Sequence, residues 1–258
     1  MLYIIIYNMK DGVVLMYCTV NIIGEWAYNS ININRKYAEK NNYDFELITE
    51  PYDTLYTHAW QKIPAMINLL ERGYKFVIYI DADAVVNKSD IKIESFLEKY
   101  SGDIIVCSDE ANSGGKCKVN GGVIIARNTE KAKNFLMQWW NLRSVYLTFS
   151  YEQQALSDIT ENKINGIDGS IVSIAPENEF NSIYAEMLIY SYSYRLRKPD
   201  NFIYHFMATD GNHRKRILSY LNERDCHYDF YFIIAAIIVI IIAFVVGHRY
   251  GNSIFAYV

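Results

Sequence analysis

Cysteine is scarce in this chain, and its spacing forms no metal or redox motif. The four cysteines are Cys18, Cys107, Cys117 and Cys226, with no Cys-x-x-Cys pair among them. That excludes a zinc ribbon or a thioredoxin-type site. The residues read as free thiols, with two disulfides as the alternative. Positive charge is also short. A formal net charge of −4 argues against a mainly electrostatic grip on nucleic acid, so no nucleic-acid partner is expected. No internal repeat and no low-complexity linker interrupts residues 1–222. With 51% apolar residues overall, this part reads as one domain with a sizeable core. The opening "MLYIIIYNMKDG" is short and broken by Lys10, which makes it a poor signal peptide. It reads as a strand or a lead-in.

One long stretch carries no charge at all: residues 230–246, "FYFIIAAIIVIIIAFVV". As a helix it would be about 25 Å long, close to a thin bilayer core, and it shows no amphipathic period. It is expected to be a transmembrane helix, with residues 223–229 as a juxtamembrane linker and 247–258 as a short tail. Arg214, Lys215, Arg216 and Arg224 precede it, and Arg249 follows. The positive-inside rule then places the large domain in the cytosol, with a lumenal placement as the alternative. The sequon Asn87-Lys88-Ser89 offers a test of that topology.

Before this stretch, strand-like runs alternate with helical stripes. Strands are expected at 12–21, 43–49, 76–80, 103–109 and 121–127. Helices are expected at 29–42, from Trp60 to Gly73, along Ile93–Tyr100 and around Ala132–Trp139. In the second helix Ile63, Met66, Ile67 and Leu70 follow the i, i+3, i+4, i+7 pattern of an amphipathic helix. Pro64 suits its first turn and Gly73 its end. Such alternation implies an α/β fold, with a mostly parallel sheet covered by helices on both faces.

The run "FVIYI" ends in Asp81 and Asp83, with only Ala82 between them. In extended backbone, residues two apart face the same side. The two carboxylates converge and repel unless a cation lies between them, and a hard divalent cation takes such oxygen ligands. Ligands of open α/β sheets bind beyond the carboxyl ends of the strands, where this pair stands. A solvated turn with two unrelated acids is the plainer alternative. Two enzyme classes end a strand in Asp-x-Asp. One is the haloacid-dehalogenase class of phosphotransferases, which would use Asp81 as nucleophile and Ser108 as its second motif. It needs a further acidic motif downstream, and no convincing one is present. The other is the nucleotide-sugar-dependent glycosyltransferases of the GT-A fold.

The second class matches more of the chain. "WQKIPAMINLLERGYKFVIYIDADAVVN" resembles the helix–strand–DxD unit of these enzymes. "VNGGVIIARNTEKAKNFLMQWW" is similar to their Asn-x-Gly strand and Trp-rich helix. "YEQQAL" resembles the acidic-Gln motif that opens the next helix. "FNSIY" and "FIYHFMATDGNHRKR" resemble the closing motifs. In this order the pieces resemble the galactosyl/xylosyl/mannosyltransferase family. The resemblance implies a GT-A domain, a UDP- or GDP-sugar donor, a Mn2+ or Mg2+ cofactor, and a glycan or protein hydroxyl as acceptor. It also implies retention of anomeric configuration, with double displacement as the second choice. The C-terminal apolar stretch departs from that family's usual N-terminal membrane helix and lumenal domain.

Roles follow from this resemblance. Asp83 would ligate the ion, Asp81 the ribose and the ion, and His205, after "FIY", would supply a nitrogen ligand. Thr19 stands where a GT-A enzyme seats base and ribose. Lys62 would touch the diphosphate, as would Lys215 and Arg216; the last two also read as a basic flank of the membrane segment. Asn120, Gly121 and Gly122 would face the sugar. Glu152 and Gln153 are the candidate catalytic pair. Helical spacing puts Glu152 on one face with Ala155, Leu156 and Ile159, and Glu replaces the family's usual Asp. "DEANSGGKCK" (109–118) is a candidate lid. Trp139 falls on a core stripe, and Trp140 stays undecided. A non-catalytic GT-A domain is a further alternative, which the chemically competent acids and imidazole disfavour.

Overall fold

The structure is a computed structural model that describes residues 9–109, 117–183, 201–207 and 209–223. The apolar stretch 230–246, its flanks, Cys226 and most of the 109–118 loop lie outside the described residues. No helix among the described residues is long and apolar enough to cross a membrane.

Strands β1 (Gly12–Tyr17), β2 (Asp44–Ile48) and β3 (Phe76–Ile80) are parallel and lie in the order β2-β1-β3. Their alternating side chains divide the core. Val14, Met16, Ile78 and Ile80 pack with Ile31 and Tyr37 of helix α1 (Tyr28–Lys40). Val13, Leu15, Val77 and Tyr79 pack with Ile63, Met66 and Leu70 of α2 (Lys62–Glu71). The period-two strand pattern therefore feeds two helical layers, each fully buried aliphatic contributing about 1.5–3 kcal/mol. The stripe predicted from Ile63 to Leu70 is the buried face of α2. Gly73 ends that segment with φ at 104°, a conformation that costs glycine little.

A short strand β4 (Ala84–Val86) and helix α3 (Glu94–Lys99) lead to β5 (Ile104–Ser108). The next strand, β6 (Val119–Arg127), runs antiparallel to both β3 and β5. Only residues 109–118 separate β5 from β6, fewer than the dozen or more that a parallel crossover needs. The sheet is thus mostly parallel with one reversed strand. Helices α4 (Glu130–Asn141) and α5 (Tyr151–Thr160) cover the same face as α2. Strand β7 (Val172–Ala175) closes the sheet edge beside β5. A second sheet joins β4, β8 (Ser182–Ile183) and β9 (Ile203–His205). A helix over 211–223 follows.

Two antiparallel registers place the chemistry. Ile80 of β3 pairs with Val123 of β6, and Asp81 N–H donates to the Gly122 carbonyl at 2.8 Å. The end of β3 therefore lies against the start of β6. Ala84 of β4 pairs with His205 of β9, which brings the imidazole back over the aspartates.

Candidate active site

Asp81, Asp83 and His205 meet at one point, each offering a ligand atom within 4.8 Å of the others. His205 Nε2 lies 3.2 Å from Asp83 Oδ1 and 3.7 Å from Asp81 Oδ2. The remaining carboxylate oxygens point outward to separate cations. Asp83 Oδ2 pairs with Arg214 Nη2 at 3.0 Å. Asp81 Oδ1 lies 3.3 Å from Lys62 Nζ and accepts from the Tyr79 hydroxyl at 2.5 Å.

These contacts set the protonation states. Burial raises the Asp83 carboxyl, but His205 and Arg214 outweigh that and hold it below the usual range. Burial lowers the His205 imidazole, yet Asp83 and Asp81 together raise it above its ordinary value. The Tyr79 phenol is pushed well up by burial and by the Asp81 charge, so it serves as a donor. For Asp83 and His205 an opposite charge works against desolvation, whereas for Tyr79 burial and a nearby negative charge act in the same direction.

The cluster fits a small divalent cation. An ion with ligands at about 2.1 Å sets neighbouring donor atoms about 3 Å apart, close to the imidazole–carboxylate spacings here. Two carboxylates and one imidazole form a hard-to-borderline donor set suited to Mg2+ or Mn2+. Gly122 leaves the room: a Cβ there would stand 2.1 Å from His205 Cε1 and 2.8 Å from Asp81 Oδ2. The missing side chain at 122 thus makes room for the His205 and Asp81 side chains.

A buried polar wall continues from the cluster. Lys62, 3% exposed, donates to Glu152 Oε1 at 3.0 Å and to the Gly121 carbonyl at 2.8 Å. Burial lowers the Lys62 ammonium, but Asp81 and Glu152 outweigh it and raise it above its ordinary value. Gln153 accepts from Gly121 N–H at 2.9 Å and donates to Asp109 at 3.1 Å. Asn120 Oδ1 accepts from Gly122 N–H at 2.8 Å and from Asn181 Nδ2 at 2.7 Å. Glu152 is buried on the core face of α5, as its spacing predicts. Trp139 is fully buried and donates to the Glu152 carbonyl at 2.9 Å. Trp140 instead makes an edge contact with Trp60 and lies under Arg143.

Beside the cluster, a cleft of about 450 Å3 opens past the ends of β1 and β3, lined by Tyr17, Thr19, Trp26, His58, Asp83 and Arg214 among others. Thr19, at the end of β1, is part of this lining. Lys215 is exposed and is not part of it. The helical turn instead directs Arg214 inward, where its guanidinium carbon lies 4.5 Å above the Trp26 ring. Arg214, Trp26, Tyr79 and Asp109 are site residues that sequence reasoning missed. The "HRKR" cluster signalled a cation, and only the helix phase selects which one.

The family model for nucleotide-diphospho-sugar transferases matches residues 31–218. A solved glycosyltransferase involved in the glycosylation of the major capsid of PBCV-1 is similar in fold. It has 19% identity and a TM-score of 0.63, over 81% of this chain and 98% of that one. The bifunctional glycosyltransferase WbbM is similar at 13% identity and a TM-score of 0.52, over 80% of this chain and 47% of that one. No curated protein sequence matches the chain. The family match removes the phosphotransferase alternative, and the two solved structures are similar to this chain in fold. The chain belongs to the nucleotide-diphospho-sugar transferase family and is a glycosyltransferase.

Proposed function

We propose that the protein is a divalent-metal-dependent transferase that moves a hexose or pentose from a UDP- or GDP-sugar to a hydroxyl of a glycan or protein, with retention. The observation that carries this reading is the convergence of Asp81, Asp83 and His205 at the mouth of the cleft. A cation held by these three would stabilise the negative charge that grows on the departing diphosphate.

The chain's own residues supply the rest. Tyr17, Trp26 and His58 give the cleft aromatic walls suited to a nucleotide base, and Thr19 offers a hydroxyl beside them. Arg214 places positive charge where the diphosphate would lie. Asn120, Gln153 and Asp109 form a hydrogen-bonded wall suited to sugar hydroxyls. Glu152 is buried and tied to Lys62, a poor state for a covalent nucleophile. That supports a retaining route in which a leaving diphosphate oxygen takes the acceptor proton, in preference to double displacement. The order of motifs supports the galactosyl/xylosyl/mannosyltransferase branch.

A panel of UDP- and GDP-sugars, with Mn2+ and with chelator, tests the reading through release of nucleoside diphosphate. One donor should give metal-dependent release. Binding without release from any donor and any acceptor would favour a non-catalytic domain. Membrane attachment through 230–246, with a cytosolic domain, is a separate proposal resting on the apolar run and its flanking charge. Glycosylation of Asn87 in cells would contradict that placement.

A further inference from the structure

Which oxygen of each aspartate faces His205 is set by the groups behind it. Asp81 gives Oδ1 to Lys62 and Tyr79 and leaves Oδ2 toward His205. Asp83 gives Oδ2 to Arg214 and leaves Oδ1 toward His205. Arg214 is itself fixed from three sides. Its ring-stacking partner is Trp26 at 4.5 Å, its Nη2 donates to the Phe206 carbonyl at 3.2 Å, and the same nitrogen holds Asp83. Phe206 in turn donates its N–H to the Asp83 carbonyl at 2.9 Å. The guanidinium, Asp83 and the residue after His205 thus form one closed set of contacts.

We propose that Arg214 is a positioning residue for the metal ligand Asp83, and that by occupying Oδ2 it keeps this carboxylate monodentate and biases the site toward small divalent cations over Ca2+. The proposal rests on the metal-dependent reading of the site. Calcium takes six to eight oxygens, commonly with bidentate carboxylates, at about 2.3–2.6 Å; Mg2+ demands a compact octahedron. A carboxylate with one oxygen already engaged by a guanidinium held over an aromatic ring would suit a compact octahedron and would bind the larger ion in bidentate fashion less readily. Lysine at 214 would restore charge without the stack or the planar fork.

The test measures Mn2+ binding to the full-length chain by electron paramagnetic resonance, with Ca2+ as competitor, for the unsubstituted protein, Arg214→Gln and Arg214→Lys. Lys92→Gln, at an exposed position, controls for the lost charge, and thermal melts report folding. Arg214→Gln should bind Mn2+ about tenfold more weakly or worse and lose more of it to the same Ca2+ concentration. Arg214→Lys should recover only part of the affinity, and Lys92→Gln should bind normally. A folded Arg214→Gln with unchanged Mn2+ affinity and unchanged Ca2+ competition overturns the proposal, as does an equal loss in Lys92→Gln. If Arg214→Gln does not fold, Arg214→Lys decides on the same readings. No Mn2+ binding by the unsubstituted protein would instead remove the metal-dependent reading, and this proposal with it.

Discussion

Lys62 Nζ stands 3.0 Å from Glu152 Oε1, with both side chains buried. The same ammonium lies 3.3 Å from Asp81 Oδ1. One cation from the first turn of α2 thus ties the acid after β3 to the acid on α5. Removing it leaves two partly or fully buried carboxylates without their counter-charge. Lys62→Met should therefore lose about 3–5 kcal/mol of folding stability, read as a lower urea midpoint. The double variant Lys62→Met/Glu152→Gln should recover part of that loss. Equal midpoints for the single and double variants would contradict the pairing.

Alkaline pH should unfold the protein earlier than its charge alone suggests. Burial raises the phenols of Tyr37, Tyr43 and Tyr79, and raises Tyr74 to about 12 with help from Asp44. Lys62 is also raised, its two acids outweighing burial. Each folded-state value exceeds the unfolded one, so each contribution is intact below the unfolded pKa near 10 and is lost as pH rises toward the folded value. The urea midpoint should fall steeply above about pH 10. The phenolate absorbance of these buried tyrosines should appear together with unfolding. Full tyrosine titration near pH 10 in the folded protein would contradict this.

Gly122→Ala tests the crowding at the Asp81–Asp83–His205 cluster. The added Cβ would stand 2.1 Å from His205 Cε1, so the imidazole must move. Overpacking of this kind costs about 1–3 kcal/mol, and Mn2+ affinity should fall about tenfold or more. Calorimetric titration with Mn2+ checks the second number. Unchanged affinity would show that His205 is not needed where the structure places it.

Cys18 and Cys107 should be inert in the native protein. Both are 1% exposed, and burial pushes each thiol up to about 12. Little thiolate forms at pH 8, and thiolate is the reactive species. Mass spectrometry after iodoacetamide should find both unmodified until denaturant is added. Rapid native labelling of either would contradict the packing of β1 and β5. Among the described residues Cys18 and Cys107 are free thiols.

Much of this architecture is legible in the chain, because strand and helix periods are local properties. The stripe Ile63–Leu70, the run before Asp81 and the core-facing side of Glu152 all follow from spacing. The direction of β6 is not local. It depends on which neighbours it pairs with, and only the short span between β5 and β6 hints at reversal. The same limit applies to the site. The closeness of Asp81 and Asp83 follows from their two-residue spacing, whereas their separate counter-ions, Lys62 and Arg214, come from distant elements. Choosing Arg214 over Lys215 requires the phase of the last helix against Trp26, which tertiary packing sets. Asp109 sits where a mobile loop was expected, yet it is buried against Asn120 and Gln153.

The most direct test is Asp83→Ala, compared with the unsubstituted protein for Mn2+ affinity and for nucleoside diphosphate release from the preferred sugar donor. The variant should fold, lose Mn2+ binding and lose release at the same time. A folded variant that still turns over the donor at the original rate with Mn2+ present would contradict this.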